Sequence, residues 1–403
     1  MPLKFVFGPS GSGKSTYLYQ HVIEESEKYP LKNFIVLVPE QFTMQTQKDL
    51  VSMHPRHGIM NIDVLSFARL AYRVFEETGT KQMQVLDDEG KNLILRKIAG
   101  DYENKLTVLK GNIKKLGYIS EVKSVISEFT QYDIGEEEMD EMLDHLDEDS
   151  RLYYKLKDIR LLYEGFQDYL RERYITKEEL LDVLNSQVKE SELLKNSVVV
   201  LDGFTGFTPV QNRLILELMR CCKEVWVTVT MDERENPYTY KHPYQLFGLS
   251  KQMVTTLVRM AGEDHIEVEE PVCLYGYPVK RFEKNQELAF LERNIFRYGS
   301  GRYDKAVENL EIHAAGNPRQ EADAVAEGIR RLVRKEQYRY RDIGVIVSDM
   351  NVYGDYLEQA FENYGIPVFM DHKRSILLNS FVEYIRSLLN MAEKNFSYES
   401  VFR

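Results

Sequence analysis

Cysteine is scarce in this sequence of 403 residues: Cys221 and Cys222 are adjacent, and Cys273 stands alone. Three cysteines at this spacing build neither a disulfide framework nor a zinc site, which fits a reducing compartment. The sequence also lacks any run of the ~20 apolar residues that cross a bilayer. Its first seven residues lead directly into a glycine-rich loop, without the apolar core of a signal peptide. We therefore expect a cytoplasmic protein, and we expect neither secretion nor a membrane span nor a disulfide scaffold.

Positive charge is in the minority. Lysine and arginine total 52 against 64 aspartate and glutamate residues, a formal net charge of −12. This balance argues against a protein coated with nucleic acid over its whole surface, although a local basic groove stays possible. With 43% hydrophobic and 29% charged residues, the composition is that of an ordinary globular protein, and the length predicts two or three domains.

A glycine-rich loop occurs near the start of the sequence. Residues 8–15 match the pattern G-x-x-x-x-G-K-[ST], in which backbone N–H groups curl around a phosphate and the next helix adds its positive end. A short apolar run, residues 3–7, precedes the loop, and a helical pattern follows it. The pattern predicts that Lys14 reaches the β- and γ-phosphates of ATP and that the Ser15 hydroxyl ligates Mg²⁺. The alternative is a glycine-rich turn that binds nothing. The predicted ATP-binding residues are Gly8, Pro9, Ser10, Gly11, Ser12, Gly13, Lys14, Ser15 and Thr16.

A second candidate metal ligand follows a buried strand. Residues 197–202 read SVVVLD, which is typical of a central parallel strand with Asp202 at its carboxyl edge. Ligands bind at that edge in open α/β sheets. We predict that Asp202 holds Mg²⁺ through water as the Walker B acid, the alternative being that it only caps the following turn.

The sequence around these two segments predicts an α/β protein. Residues 34–38, 62–67 and 225–230 are further β-rich runs beside helical stretches, as in βαβ units. Between them, residues 87–190 contain almost no strand-like run and predict a helical insertion. Apolar residues recur there at helical spacing: Leu152, Leu156, Ile159, Tyr163, Phe166 and Leu170.

A second α/β unit is predicted from about residue 309. Three apolar runs, 310–315, 343–347 and 367–370, alternate with helical patterns at 319–335, 353–364 and 376–391. Three such repeats do not complete a domain of this type. We therefore expect the sequence to be the amino-terminal part of a longer protein.

Three segments, together with the loop, resemble a known family. These are VPEQFT at 38–43, VLSFARL at 64–70 and LDGFTGFTP at 201–209. The combination resembles the N-terminal helicase-like region of the AddB family, whose members form one half of bacterial ATP-dependent helicase/deoxyribonucleases. The resemblance spans the whole sequence and is more specific than any one motif.

The resemblance implies a superfamily 1 layout. It places a P-loop NTPase domain with a RecA-like parallel sheet at 1–86 and 191–305, a helical insertion at 87–190 and part of a second RecA-like domain at 306–403. It also implies a role in processing double-strand DNA ends for recombination. The implied partners are AddA, which completes the heterodimer, and DNA as single strands and duplex ends.

The same resemblance implies DNA-contacting residues and a missing part. Gln41, Thr43, Ser66 and Phe67 lie where superfamily 1 helicases touch single-stranded DNA, although ordinary strand-end residues are an equal alternative. The family's nuclease and its iron–sulfur cysteines lie in a C-terminal part that nothing here matches. We therefore expect no nuclease activity and no cluster in these 403 residues.

Three departures from the helicase pattern bear on hydrolysis. Gly203 stands where motors carry a water-orienting glutamate, no upstream glutamine is present to read adenine, and residues 348–350 lack the arginine expected after a strand of the second domain. Loss of an arginine finger alone costs ~10³-fold or more in rate. We therefore predict ATP binding with weak or no hydrolysis, and no residue is assigned a catalytic role.

Two other functions stay open at this stage. One is a fully active DNA translocase in which another acid replaces the missing glutamate. The other is a P-loop switch or scaffold without DNA activity. DNA-stimulated turnover would favour the first, and nucleotide binding without any DNA dependence would favour the second.

Overall fold

A computed structural model describes residues 2–79, 84–113, 115–171, 174–297, 299, 301–371 and 376–402. The chain divides into two compact units, Met1–Val307 and Glu308–Arg403. Among the described residues, no helix is both long and apolar enough to cross a membrane.

The first unit is built on a six-stranded sheet in the order β3-β2-β6-β7-β1-β8. The ladders between these strands are parallel, so the α/β class and the parallel sheet are confirmed. A short parallel pair, β4 and β5, lies outside this sheet. The strands are β1 (Leu3–Gly8), β2 (Asn33–Leu37), β3 (Ile62–Leu65), β4 (Gln84–Leu86), β5 (Tyr174–Thr176), β6 (Ser197–Leu201), β7 (Glu224–Thr230) and β8 (Val272–Cys273).

Alternation along the strands divides the apolar residues between two layers. On β1, Phe5 and Phe7 enter one hydrophobic core while Val6 enters the other, and on β6 Val199 and Val200 divide in the same way. Successive side chains of a strand point to opposite faces, so a strand that is apolar throughout must be covered on both. Both faces of the central strands are therefore buried.

Helices connect the strands of the first unit. Proline at the first position of α10, together with a capping box between Thr208 and Gln211, fixes where that helix begins after β6. The helices are α1 (Lys14–Lys28), α2 (Thr43–Met53), α3 (Phe67–Thr78), α4 (Asp88–Asp101), α5 (Leu116–Gln131), α6 (Glu136–Asp144), α7 (Arg151–Leu170), α8 (Leu180–Gln187), α9 (Glu192–Lys195), α10 (Pro209–Cys221), α11 (Gly248–Glu263) and α12 (Gln286–Asn294).

Helices α4 to α7 enclose a hydrophobic core of their own, separate from the two cores of the sheet. Two buried polar groups stabilise it. Asp158 accepts hydrogen bonds from the backbone N–H groups of Thr107, Val108 and Leu109, and the Lys91 ammonium lies 2.6 Å from a carboxylate oxygen of Glu178. Strands β4 and β5 pair where the chain leaves the sheet and returns to it. Helix α8 then packs into the core of the sheet, with Leu180 and Leu184 buried there.

The second unit contains α13 (Pro318–Lys335), α14 (Met350–Tyr364), α15 (Ser380–Glu393) and α16 (Tyr398–Val401). Its core forms where α13 packs on α14, and the buried contacts include Ala326 and Phe361. The three predicted strands are not observed as strands within the described residues of this unit. A strand needs a hydrogen-bonded neighbour, and these runs have none here, so Ile312, Ile346 and Phe369 are 93%, 98% and 89% exposed.

Candidate functional site

The loop that connects β1 to α1 holds three glycines in positions that other residues would strain. Gly11 and Gly13 have φ angles of +83° and +92°, in the left-handed region. A Cβ atom on Gly8 would lie 2.4 Å from Oγ of Ser12 and 2.9 Å from the carbonyl oxygen of Leu274. The backbone of this loop therefore favours glycine at all three positions.

Lys14 is the first residue of α1 and lies over the loop. Its Nζ atom donates hydrogen bonds to the carbonyl oxygens of Gly8 and Pro9, each over 2.9 Å. Burial lowers the pKa of Lys14 from 10.5 to about 8; the nearby carboxylate of Asp202 opposes this shift, and the Arg281 guanidinium adds to it. The Lys14 ammonium is thus partly desolvated, and an anion bound beside it would stabilise its charged form.

Asp202 lies at the carboxyl end of β6, buried among hydroxyl donors. Its Oδ1 atom accepts hydrogen bonds from Oγ of Ser15 over 3.1 Å and from Oγ1 of Thr228 over 2.6 Å. Its Oδ2 atom accepts one from the hydroxyl of Tyr19 over 2.7 Å. The fold therefore brings the two predicted metal ligands, Ser15 and Asp202, into direct contact although 187 residues separate them.

These residues open onto a cleft of about 460 Å³. Asp202 is the one carboxylate among the described residues that line it. Oγ of Ser12, in the same loop but not among the lining residues, is buried and has no hydrogen-bond partner within the described part of the chain. The other lining residues are Ser10, Gly11, Gly13, Lys14, Ser15, Thr16, Gly203, Phe204, Thr205, Thr228, Thr230, Lys280 and Arg281.

The donor set of this cleft fits a magnesium-bound polyphosphate. A hydroxyl and a carboxylate, 3.1 Å apart, are the hard oxygen ligands that Mg²⁺ takes. Backbone N–H groups at the start of α1 and the Lys14 ammonium are the groups that bind phosphate oxygens. The buried Ser12 hydroxyl is a further polar group of the loop, and the described residues offer it no hydrogen-bond partner.

Several lining residues were missed by the sequence analysis, among them Thr228, which donates to Asp202, and the two cations Lys280 and Arg281. The two cations lie in a short 3₁₀ turn after β8, and the N–H of Arg281 donates to the carbonyl oxygen of Gly11 over 3.0 Å. Nothing in the local sequence marks this pair of cations. Only the parallel pairing of β8 with β1 brings them to the loop.

Gly203, directly after Asp202, has a φ angle of +80°. Its N–H group donates to Oγ1 of Thr228 over 3.4 Å. An L-residue is strained in this conformation, so a glutamate at this position would distort the backbone that supports Asp202. Position 203 therefore lacks a carboxylate, and its backbone conformation favours glycine.

The four predicted DNA-contacting residues differ in exposure. Gln41 is exposed in a 3₁₀ turn before α2. Thr43 is buried and donates to the carbonyl oxygen of Glu40, and Ser66 is buried and caps α3. Phe67 is buried against Phe204 and Phe207. The last three side chains therefore have partners inside the protein, and Gln41 alone of the four reaches solvent.

The fold and the site together define the class: an α/β protein in which a glycine-rich loop and a buried acid meet at the carboxyl edge of a parallel sheet. Residues 5–292 match the family model described as "ADDB, N-terminal". The chain therefore belongs to the AddB family, and the resemblance read from the sequence is confirmed.

Three relatives are each named as the B subunit of an ATP-dependent helicase/deoxyribonuclease. The protein of Lachnoclostridium phytofermentans is 45% identical over 410 residues. Those of Clostridium kluyveri and Caldanaerobacter subterraneus are 35% and 36% identical over 403 and 406 residues. Each match covers 100% of this chain but only 34–35% of the relative, so the chain spans about a third of their length.

Proposed function

We propose that this chain is the amino-terminal, nucleotide-binding part of a helicase–nuclease that processes double-strand DNA ends for recombinational repair. The observation that carries the proposal is the contact between Ser15 and Asp202 beneath the glycine-rich loop. The relatives' name, which includes ATP dependence, helicase and deoxyribonuclease, agrees with it.

In this proposal the first unit contains a RecA-like nucleotide-binding domain, residues 1–86 and 191–305, interrupted by the helical insertion 87–190. The sheet order supports this, because β7 lies between the loop strand β1 and the acid strand β6, and both strands end at the same edge. Residues 306–403 would begin a second RecA-like domain.

Residues 8–16 would hold the phosphates of ATP. Lys14 would neutralise phosphate charge, and Ser15 with Asp202 would hold Mg²⁺, which supplies further positive charge against the phosphates. Tyr19 and Thr228 fix the Asp202 carboxylate by donating to both of its oxygens.

Hydrolysis is proposed to be weak or absent. A motor needs a base or amide that orients the attacking water, and the described cleft offers no second carboxylate. The +80° φ angle of Gly203 supports this reading, since the backbone there disfavours a side chain. The chain would then bind ATP as a structural or regulatory ligand.

Single-stranded DNA is the proposed second ligand. Of the predicted contacts, Gln41 can reach a phosphate without rearrangement, and its neighbour Phe42, which is 49% exposed, offers a ring for stacking. The buried residues would hold Gln41 and Phe42 in position from the protein interior; they are Thr43, Ser66 and Phe67. The proposed protein partner is AddA, because the relatives are named as one of at least two different subunits, and the proposed location is the cytoplasm.

Titration calorimetry of the 403-residue chain with Mg-ATP tests the proposal. Lys14→Ala should abolish binding, while Lys28→Ala, at the exposed far end of the same helix, should leave it unchanged. Turnover should be negligible with and without single-stranded DNA. DNA-stimulated turnover would instead support an active translocase, and absence of nucleotide binding by the wild type would overturn the proposal.

A further inference from the structure

Two cations face the phosphate-binding loop and are not used by the chemistry described so far. Lys280 and Arg281 line the cleft together with Lys14. Within the described residues, neither side chain forms an ion pair. Nearby arginines differ: Arg234 and Arg297 both pair with Asp232, at 2.6 and 3.0 Å.

The turn that carries this pair is held on the loop, and both side chains lie against loop glycines, Lys280 at Gly13 and Arg281 at Gly11. The chain leaves β8 with the N–H of Leu274 donating to the carbonyl oxygen of Phe7 over 2.8 Å. Val279 is buried, and the N–H of Arg281 donates to the carbonyl oxygen of Gly11 over 3.0 Å. The aliphatic part of Lys280 lies 3.4 Å from where a Cβ on Gly13 would be. Arg281 is therefore anchored through its backbone N–H, and both side chains line the cleft.

The charge of the cleft is unbalanced. Lys14, Lys280 and Arg281 supply three positive side chains against the single carboxylate of Asp202 among the described lining residues. The Arg281 charge contributes to the lowering of the Lys14 pKa, which indicates that the two cations are close enough to repel. An anion between them would relieve this repulsion, and the relief grows with the charge of the anion.

We propose that Lys280 and Arg281 contact the nucleotide phosphates and make the site selective for a nucleoside triphosphate over a diphosphate. The inference rests on the proposed function, because it assumes that a nucleotide occupies the loop. The triphosphate carries an additional phosphate group and so gains more from two further cations. Arg281 can hold two phosphate oxygens at once with its planar fork, and Lys280 acts as a point charge.

The test is calorimetric titration of the 403-residue chain with Mg-ATP and with Mg-ADP. Arg281→Ala should weaken Mg-ATP binding about 10-fold, the size expected for loss of a charged hydrogen bond, and Mg-ADP binding much less. Lys280→Ala should act in the same direction. Lys284→Ala is the matched control: it removes an exposed cation four residues from Lys280 that does not line the cleft, and both affinities should stay unchanged.

Each outcome bears on a different claim. If the wild type binds ATP and Arg281→Ala binds it equally well, the inference is overturned while the proposed function stands. If Arg281→Ala weakens the binding of Mg-ATP and Mg-ADP equally, the selectivity is overturned. If the variant instead binds a single-stranded oligonucleotide more weakly and Mg-ATP as well as the wild type does, the contact with the nucleotide phosphates is overturned. If the wild type binds neither nucleotide, both claims fall. Arg281→Lys, which keeps the charge and the backbone, should retain part of the preference for ATP and guards against a folding defect in the alanine variant.

Discussion

The hydroxyl of Tyr19 donates a hydrogen bond to Oδ2 of Asp202 over 2.7 Å, and it lies 3.4 Å from Oγ1 of Thr46. Tyr19 belongs to α1, which begins at the glycine-rich loop, while Thr46 belongs to α2, which follows the turn that carries Gln41. One side chain thus contacts both the candidate metal ligand and the helix beside the candidate DNA contact. The pKa of Tyr19 is raised, first by burial and then by the Asp202 charge, so its proton is retained.

Tyr19→Phe removes this donor without changing the shape of the core. Because a hydrogen bond to a charged group contributes about 2 kcal/mol, we expect a loss of that size in the free energy of unfolding, measured with urea. The Mg²⁺ concentration needed for half-maximal ATP binding should also rise, since Asp202 loses the group that orients Oδ2. Tyr29→Phe, at an exposed tyrosine of the same unit, is the control. Unchanged stability and unchanged Mg²⁺ dependence would contradict the role assigned to Tyr19.

Gly203→Ala should destabilise the chain by about 1–2 kcal/mol, because an L-residue is strained at a φ angle of +80°. Gly206→Ala is the matched control, since Gly206 has no atom within 4 Å of the position of a Cβ and no positive φ angle. Urea unfolding of both variants gives the comparison. Gly203→Glu should not create ATP turnover, measured as phosphate release, and turnover in that variant would contradict the backbone argument.

ATP affinity should depend on pH through Lys14. With a pKa of about 8, Lys14 is mostly charged at pH 7 and mostly neutral at pH 9, so affinity should fall about 10-fold between these values. The effect on stability has the opposite sign. The folded-state pKa lies below 10.5, so folding becomes more favourable as pH rises from about 8 to 10.5, where only the unfolded chain keeps the proton. Calorimetry and urea unfolding across this range measure both trends. In Lys14→Arg, which stays charged, any remaining ATP affinity should be constant with pH.

The helical region should depend strongly on its buried ion pair. Lys91 is 2% exposed, and its Nζ atom lies 2.6 Å from Oε2 of Glu178. Lys91→Met leaves that carboxylate without its partner and should cost about 3–5 kcal/mol in the free energy of unfolding. The double variant Lys91→Met with Glu178→Leu should recover most of the loss. Lys28→Met, which breaks an exposed pair with Glu25, should have no measurable effect. Equal effects at Lys91 and Lys28 would contradict this account.

The sequence allowed much of the first unit to be predicted, because its signals are local. The glycine-rich loop and the strand ending at Asp202 each lie within about eight consecutive residues, and the rules for parallel sheets place both at one edge. Arg281 could not be found in this way. It reaches the loop only through the pairing of the two-residue strand β8, which is too short to give a periodic pattern. The role of these residues stays a prediction until nucleotide binding is measured.

The second unit illustrates a different limit. Three apolar runs have the composition of strands: 310–315, 343–347 and 367–370. Composition is a property of one segment, whereas a strand forms only when a second segment pairs with it. Helices α13 and α14 form as predicted because their hydrogen bonds are internal and their apolar faces meet each other. A β-strand instead forms its backbone hydrogen bonds with another strand. The described residues of this unit contain no neighbouring strand for the three apolar runs, so the strands predicted from their pattern are not observed.

The order of strands in the sheet has a consequence for synthesis on the ribosome. Strand β1 is translated first, yet its two neighbours are β7, which begins at Glu224, and β8, which begins at Val272. At ~5–20 residues per second, roughly 10–40 s pass between the synthesis of β1 and the synthesis of β7. During that time Leu3, Phe5 and Phe7, which are buried in the folded chain, lack the neighbouring strands that cover β1 there. A nascent chain of this protein therefore presents an apolar segment that chaperones can bind until its central strands have been translated.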